Sequence, residues 1–510
     1  MNVPSQRVRW QQQPWVRKSW PRPWPWQACQ RNWPADWPPT SSASRSWPVD
    51  FLQDGPTPQA TFQFEHDIEG ELREAGRQTL EFTFNAAEPE DEHELPPRLR
   101  RGRREFRRNR KTPNEIATLF GPVVLRRSIY QAVEPGERGL APLERRLGVV
   151  AGLATPALAD AAAGLNAELT QQQTRGVLER RHGVRWSHGT LRRVVAAMAQ
   201  HYAPLRHEAQ VDRVLDLLKT AGKSRGKHAV TLSVGRDGVM IPMRPCWEEA
   251  STATVSVLDR RGRRLGTVYL GRMPQPGQGT MTAQLKGLLD EVLQRWHGPT
   301  PRLVYVTDAG THPQDFFRYQ LQGMKHPRTG ESLRWEWIVD YYHACGRITK
   351  LAESLFGCGP EASRWAAAQR RTLRDKRAGA TRVVQRAQAT RRHRGLHGSR
   401  KEFDTALQYL KKYASHMDYA SARRRGLPIG SGVTEAACKT IVGYRFKQSG
   451  MRWKREHGQH VLDLRVILKS GVWAACRTHW LTNCTPIEAV TPRLRPQGTP
   501  KFSRNHLLSA

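Results

Sequence analysis

"PIGSGVTEAACKTIVGYRFKQSGMRW", residues 428–453, sets one carboxylate, Glu435, among Lys439, Arg445, Lys447 and Arg452. Gly430-Ser431-Gly432 cannot easily continue a helix, so a helix is expected from about Val433 with Glu435 in its first turn. There the acid complements the positive end of the helix dipole and precedes Lys439 by four residues, a favourable pair. That local role accounts for the residue taken alone. Its order relative to the other acids of the chain gives a second reading, as a metal ligand, and the fold class turns on which reading holds.

The whole chain is strongly cationic. Its 510 residues carry a formal charge of +36, with a pI near 10.8. A surplus of this size is an electrostatic footprint for a polyanion, and nucleic acid is the expected partner. A membrane partner is not expected, because no window holds the roughly 18 apolar residues of a spanning helix. The N-terminus lacks the apolar core of a signal peptide. Seven cysteines lie scattered without a CxxC pair, so neither a zinc ribbon nor a disulfide framework is indicated, and buried thiols in a reducing cytoplasm are expected.

Eight of the seventeen tryptophans precede residue 50, mixed with Pro, Arg and Ser and without period. Residues 1–60 are therefore expected to be a disordered tail. A second reading makes the tract translated upstream DNA ahead of the true start codon. N-terminal sequencing of native protein that found Met1 would sink it. Residues 61–112 read as a charged linker, in which acidic EPEDEHELPP runs into RLRRGRREFRRNRK. Nine basic residues between Arg98 and Lys111 suit an arm that neutralises phosphates.

Residues 113–222 are expected to form an N-terminal helical DNA-binding region, although LFGPVVLRRSIYQAV alternates like a strand. Within it, about 170–200, one helix to Arg181 meets a turn at His182-Gly183-Val184 and a cap at Ser187. A second helix spans His188 to Gln200 and carries Arg192 and Arg193. A helix, short glycine turn and capped basic helix can place a recognition helix in a major groove.

From Lys227 the period changes. HAVTLSVGRD, STATVSVL and LGTVYLGRM alternate as strands, with VMIPM also strand-like. An amphipathic helix, the short strand RLVYVTD, the helix PQDFFRYQLQ and the strand WEWIVD follow. Three antiparallel strands, helix, strand, helix, strand is the order of a mixed α/β sheet of the ribonuclease H kind. The first part of this core spans 223–345 and a basic all-α insertion 346–425. The final helical part, with Glu435, spans 426–480, and 481–510 form a tail.

Three acids are expected at element ends: Asp237 closing the first strand, Asp308 closing the fourth, and Glu435 opening the helix after the insertion. In open sheets ligands collect at strand carboxyl ends. Two Asp and one Glu brought together repel one another unless cations bind them. Two divalent ions solve that problem and can clamp both oxygens of a phosphoryl displacement. Each acid also has a local alternative: Asp237-Gly238 as a hairpin turn, Asp308 as a helix cap.

This order, Asp237, Asp308, helical insertion, Glu435, resembles the DDE transposases of bacterial insertion sequences. Asp340 and His343 in IVDYYHACGRITKL match the (C/D)-x-x-H element of Mutator-like transposases, and IGSGVTEAACKTIVGYRFKQSGMRW is similar to the ISKra group. The resemblance covers roughly residues 115–480. It implies a ribonuclease H-like core and two Mg2+ or Mn2+ ions on Asp237, Asp308 and Glu435, with Asp340 and His343 in support. It also implies recognition of terminal inverted repeats and target DNA by a homodimer or larger assembly, in a prokaryotic cytoplasm at the nucleoid. Lys439, Arg445, Lys447, Arg452 and Lys454 would then hold the DNA strand. Trp453 would pack in the core or stack on an unpaired base. Arg236, directly before Asp237, departs from the pattern and is placed to compete for its carboxylate. Two other functions fit the same residues: a nuclease of this fold that never joins strands, and a catalytically dead DNA-binding regulator.

Overall fold

A computed structural model describes residues 57–89, 95–134, 136, 139–398, 400–483 and 488–489. Most of the tail expected over 1–60, and nearly all of that over 481–510, lie outside the described residues. The chain divides into two compact units, Met1–Gln78 and Thr79–Ala510.

Much of the stretch read as a charged linker is regular structure among the described residues. Helix α1 (Pro58–Ala86) runs across the unit boundary, supported by the i,i+4 pair of Glu69 with Arg73 and the i,i+3 pair of Glu74 with Arg77. The basic arm is a hairpin of β1 (Arg98–Arg101) and β2 (Arg104–Thr118). A third strand, β3 (Gly121–Ala132), pairs with β2, and Glu488–Ala489 pair with β1 on its other edge. A reading by charge missed the hairpin because Leu99 and Phe106, a cross-strand pair, are the buried residues that pin it.

Helix α2 (Pro142–Arg146) leads into α3 (Pro156–Glu168), α4 (Gln171–His182) and α5 (His188–Gly222). Helix α4 starts on a capping box at Thr170–Gln173 and stops at Gly183, whose φ of 63° suits glycine. Ser187 caps α5 by accepting from the Thr190 N–H. Two helices joined by a short turn lie where a helix–turn–helix is expected, but the second is 35 residues long and does not end at Gln200. It runs through Pro204 because its apolar stripe continues into Val211, Val214 and Leu218, which pack under the sheet. Leu191, Val194 and Met198 instead pack with α3. One rigid element thus serves two cores.

The sheet has five strands: β4 (Thr231–Pro242), β5 (Trp247–Leu258), β6 (Arg264–Arg272), β7 (Arg302–Thr307) and β8 (Trp335–Val339). Their spatial order is β6-β5-β4-β7-β8. The first three run antiparallel, and β7 and β8 run parallel to β4. Helix α6 (Gly279–Arg295) connects β6 to β7, and α7 (Thr311–Phe316) follows β7. The protein is thus mixed α/β with a helical part. VMIPM belongs to β4 and is not a strand of its own.

Five helices separate the sheet from the Glu435 region: α8 (Tyr341–Phe356), α9 (Pro360–Asp375), α10 (Gly379–His393), α11 (Lys401–Lys412) and α12 (Tyr419–Arg424). Leu351, Leu373, Val383 and Leu410 join the buried cluster that includes Val304 and Val306 of β7, so the helical segment packs on the sheet. The chain then forms α13 (Gly432–Ala437), a π turn over Cys438–Gly443, a last turn Tyr444–Phe446, α14 (Arg455–Lys469) and α15 (Trp473–Thr482).

Candidate functional site

The parallel registers lead to three acids. Val234 of β4 pairs with Tyr305 of β7, and Thr307 of β7 pairs with Val339 of β8. That first register ends three positions before Asp237 and Asp308, whose carboxylates are still near enough for one to act on the other. Continued by one position, the second register sets Asp308 against Asp340. Strand-to-strand pairing of β4 with β7 stops at Val234, while β4 itself continues to Pro242. Asp237 therefore lies inside a strand that has outrun its neighbour; it neither closes the strand nor makes a hairpin turn.

Helix α13 closes over this edge. Thr434 Oγ1 lies 2.9 Å from Thr254 Oγ1 of β5, and the Cys438 thiol points at Asp237 Oδ2 from 3.6 Å. Glu435 is in the first turn of α13, as expected. Among the described residues it makes no ion pair with Lys439; its nearest cationic partner is His343, at 3.8 Å. From Cys438 the helix widens into a π turn, a feature frequent at functional sites.

Asp340 is fully buried and caps α8. Its Oδ1 accepts from the His343 N–H at 2.7 Å and lies 3.3 Å from His343 Nδ1. Its Oδ2 accepts from the Ser431 backbone N–H and, at 2.7 Å, from the Ser431 hydroxyl. That hydroxyl also lies 3.0 Å from Glu435 Oε1. Burial would raise the Asp340 carboxyl, but these hydrogen bonds outweigh it and hold it at about 2. His343 is half-exposed on its helix, and the hydrogen bond to Asp340 raises its pKa against partial burial.

Asp237 behaves in the opposite way. Burial pushes it up to about 6, and the nearby Asp308 carboxylate adds to the rise against the Gly238 N–H bond. Asp308 Oδ1 accepts from the Gly310 N–H at 2.9 Å, a local turn in place of a helix cap, since the cap position of α7 is Gly310.

Asp308 Oδ2 and Glu435 Oε2 accept no hydrogen bond among the described residues, and Asp237 Oδ2 accepts only from a weakly donating thiol. Asp237 and Asp308 do not fall, with Glu435 or any other residue, in a group of three ligand atoms within 4.8 Å of one another among the described residues. The group the structure does bring together is Asp340, His343 and Glu435, whose ligand atoms lie within 4.8 Å of one another. Asp340 has both oxygens already engaged, which fits a positioning role.

Two expectations about neighbours are corrected. Arg236 does not reach the Asp237 carboxylate: adjacent strand residues face opposite sides, and Arg236 is buried on the other one. It donates to Thr282 Oγ1 and to Gln278 Oε1, both at 2.9 Å, and lies over the Phe316 ring. Arg445 is not a surface contact for DNA. It is 1 % exposed, donates through Nε to the Asn166 carbonyl at 3.0 Å, and burial lowers its pKa to about 10. Trp453 packs against Phe446 with the rings tilted at 47° and donates to the Phe446 carbonyl at 3.1 Å, so it packs in the core.

Lys439, Lys447, Arg452 and Lys454 are exposed, as are Arg192 and Arg193 near the start of α5. Sequence reasoning passed over Ser431 and Cys438, although their positions, four before and three after Glu435, put them beside it on a helical turn. The chain matches no protein-family model, and no curated protein matches it.

Proposed function

We propose that the protein is a DNA transposase of an insertion sequence, built on a ribonuclease H-like core, acting by divalent-metal-dependent strand cleavage and strand transfer. The observation that supports this most is the gathering of Asp340, His343 and Glu435, with Asp308 near enough to act on both His343 and Asp237, in a chain of charge +36. Acids are concentrated there against the charge of the whole molecule, which suits cations binding between protein and phosphate.

In this reading Asp237, Asp308 and Glu435 hold two Mg2+ or Mn2+ ions. When bound, these supply the positive charge that steadies the attacking and leaving oxygens. Asp340, through Ser431 and His343, sets the position of Glu435. Lys439, Lys447, Arg452 and Lys454 hold the DNA backbone, and the α4–α5 pair with Arg192 and Arg193 reads the terminal repeats. Water attacks the phosphodiester at the element's end, forming a new P–O bond as the bond to the 3′ oxygen breaks. The freed 3′-hydroxyl attacks target DNA in a second displacement, with no covalent protein–DNA intermediate. Two paired ends imply a homodimer or larger assembly. Among the described residues no helix is long and apolar enough to cross a membrane.

A gel assay on labelled DNA spanning the gene's flanks, with Mg2+, Mn2+ or EDTA, tests this. Cuts and joined products at repeat ends that vanish in EDTA and in Glu435→Ala are expected. Cuts that are never followed by joining would indicate a nuclease. Footprints without cutting in any metal would indicate a regulator.

A further inference from the structure

Trp453 is buried, but a second tryptophan, on the hairpin it joins, meets water. The tip of the β4–β5 hairpin is tied to the segment that precedes α14. The Trp453 N–H donates to the Pro242 carbonyl and the Arg244 N–H donates to the Trp453 carbonyl, both at 3.1 Å. Arg452 and Lys454, on either side of Trp453, are exposed, as is Arg244. Trp247, at the start of β5, is 51 % exposed, and the Lys447 ammonium lies 5.7 Å from the centre of its ring. The two acids that follow it are turned elsewhere. Glu248 pairs with Arg455 at 2.5 Å, and Glu249 lies over Gly238, where a β-carbon would fall 1.6 Å from its Oε1. Among the described residues none of Arg244, Lys447, Arg452 and Lys454 forms an ion pair. The tip thus presents an open indole and four unneutralised cations.

Such charges suit phosphates, and an open indole suits the face of a base. Inside a duplex every base face is covered by stacking, so the ring would have nothing to take. We propose that the tip binds an unpaired stretch of DNA, with one base stacked on Trp247 and with Arg244, Lys447, Arg452 and Lys454 on the phosphates around it. The antiparallel register pairs Asp237 with Thr252 and Pro242 with Trp247. An odd number of positions separates Asp237 from Pro242, so Trp247 stands on the ribbon face opposite Asp237 and the base is held apart from the acids. The proposal rests on the reading of a DNA-acting protein but not on catalysis, so it is tested without metal.

Fluorescence anisotropy in EDTA compares the full chain on labelled oligothymidylate, on an abasic deoxyribose-phosphate strand of the same length and on a duplex. Wild type should bind oligothymidylate more tightly than the abasic strand; equal affinity overturns the stacking, whatever any variant does. Trp247→Ala should lose roughly 5- to 100-fold on oligothymidylate, as expected for one stacked base, with Trp247→Phe recovering most of it. The same Ala variant should keep wild-type affinity for the abasic strand and the duplex, and keep the salt slope, because no phosphate contact is lost. Arg244→Gln/Arg452→Gln should lower the single-strand slope of log affinity against log salt by about 1.4, on the abasic strand as well. An Ala variant with undiminished affinity for oligothymidylate overturns the proposal, as does an equal loss on the abasic strand. An unchanged slope in the double variant overturns the phosphate contacts. Wild-type protein that binds neither single strand overturns the proposal and leaves the proposed function to its cleavage assay.

Discussion

Gly235 of β4 lies so close to Thr434 of α13 that a β-carbon there would fall 2.0 Å from the threonine hydroxyl oxygen. The absent side chain lets the helix bearing Glu435 sit against the strand bearing Asp237. Gly235→Ala must push α13 outward, and the expected result is a loss of at least tenfold in metal-dependent cleavage with duplex affinity retained. Cleavage and anisotropy on one preparation check this; an Ala variant with wild-type cleavage would show that the close approach is not needed.

Asp237 is held near a pKa of 6, above its unfolded value of about 3.9. A raised carboxyl leaves stability intact below about pH 4 and lowers it as pH rises toward 6, because the folded state then holds the extra proton. In EDTA at pH 7 to 8, Asp237→Asn is therefore expected to be more stable than wild type by about 1–3 kcal/mol. The difference should vanish below about pH 4. Mg2+ should raise the Tm of wild type and leave that of the variant nearly unchanged. Melting curves at two pH values, with and without metal, decide the matter.

Asp340 has the opposite sign. Its depressed pKa contributes stability that is present above about pH 4 and lost as pH falls through about 2. Asp340→Ala strands the Ser431 and His343 N–H groups in a buried place, and a loss of about 3 kcal/mol is expected, shrinking in acid. If Asp340 positions and does not ligate, Asp340→Asn should keep measurable Mg2+ binding by calorimetry. Complete loss of binding in a folded Asn variant would make it a ligand.

Arg445 and Lys447 are two residues apart, and only one faces water. Lys447→Gln should lower the salt slope of duplex binding by about 1. Arg445→Met should leave that slope unchanged and melt at or above the wild-type temperature, because a buried cation with two nitrogens lacking hydrogen bonds is replaced by an apolar chain. A slope change in Arg445→Met would contradict its burial.

Much of this protein was legible in its residues. Alternation marked β4 to β8, helical periods marked the segment between Asp340 and Glu435, and the order of the acids stood in plain view. Periodicity says which face a side chain takes but not where an element ends or what lies opposite. That is why α5 was cut short at Gln200, and why the arginines of β1 and β2 read as a loose arm until Leu99 and Phe106 paired.

The sequence alone determined the cationic balance, the strand and helix periods and the linear order Asp237, Asp308, Asp340, Glu435. Tertiary structure alone decided which acids share an edge, because parallel register is a property of two strands and not of either one. It also decided which side chains meet solvent, since Arg236, Arg445 and Trp453 face inward, to partners at Gln278, Asn166 and Phe446. Gly235 and Thr434 are ordinary residues until the fold brings them together. The packing of one against the other, across about two hundred residues, sets where Glu435 can stand.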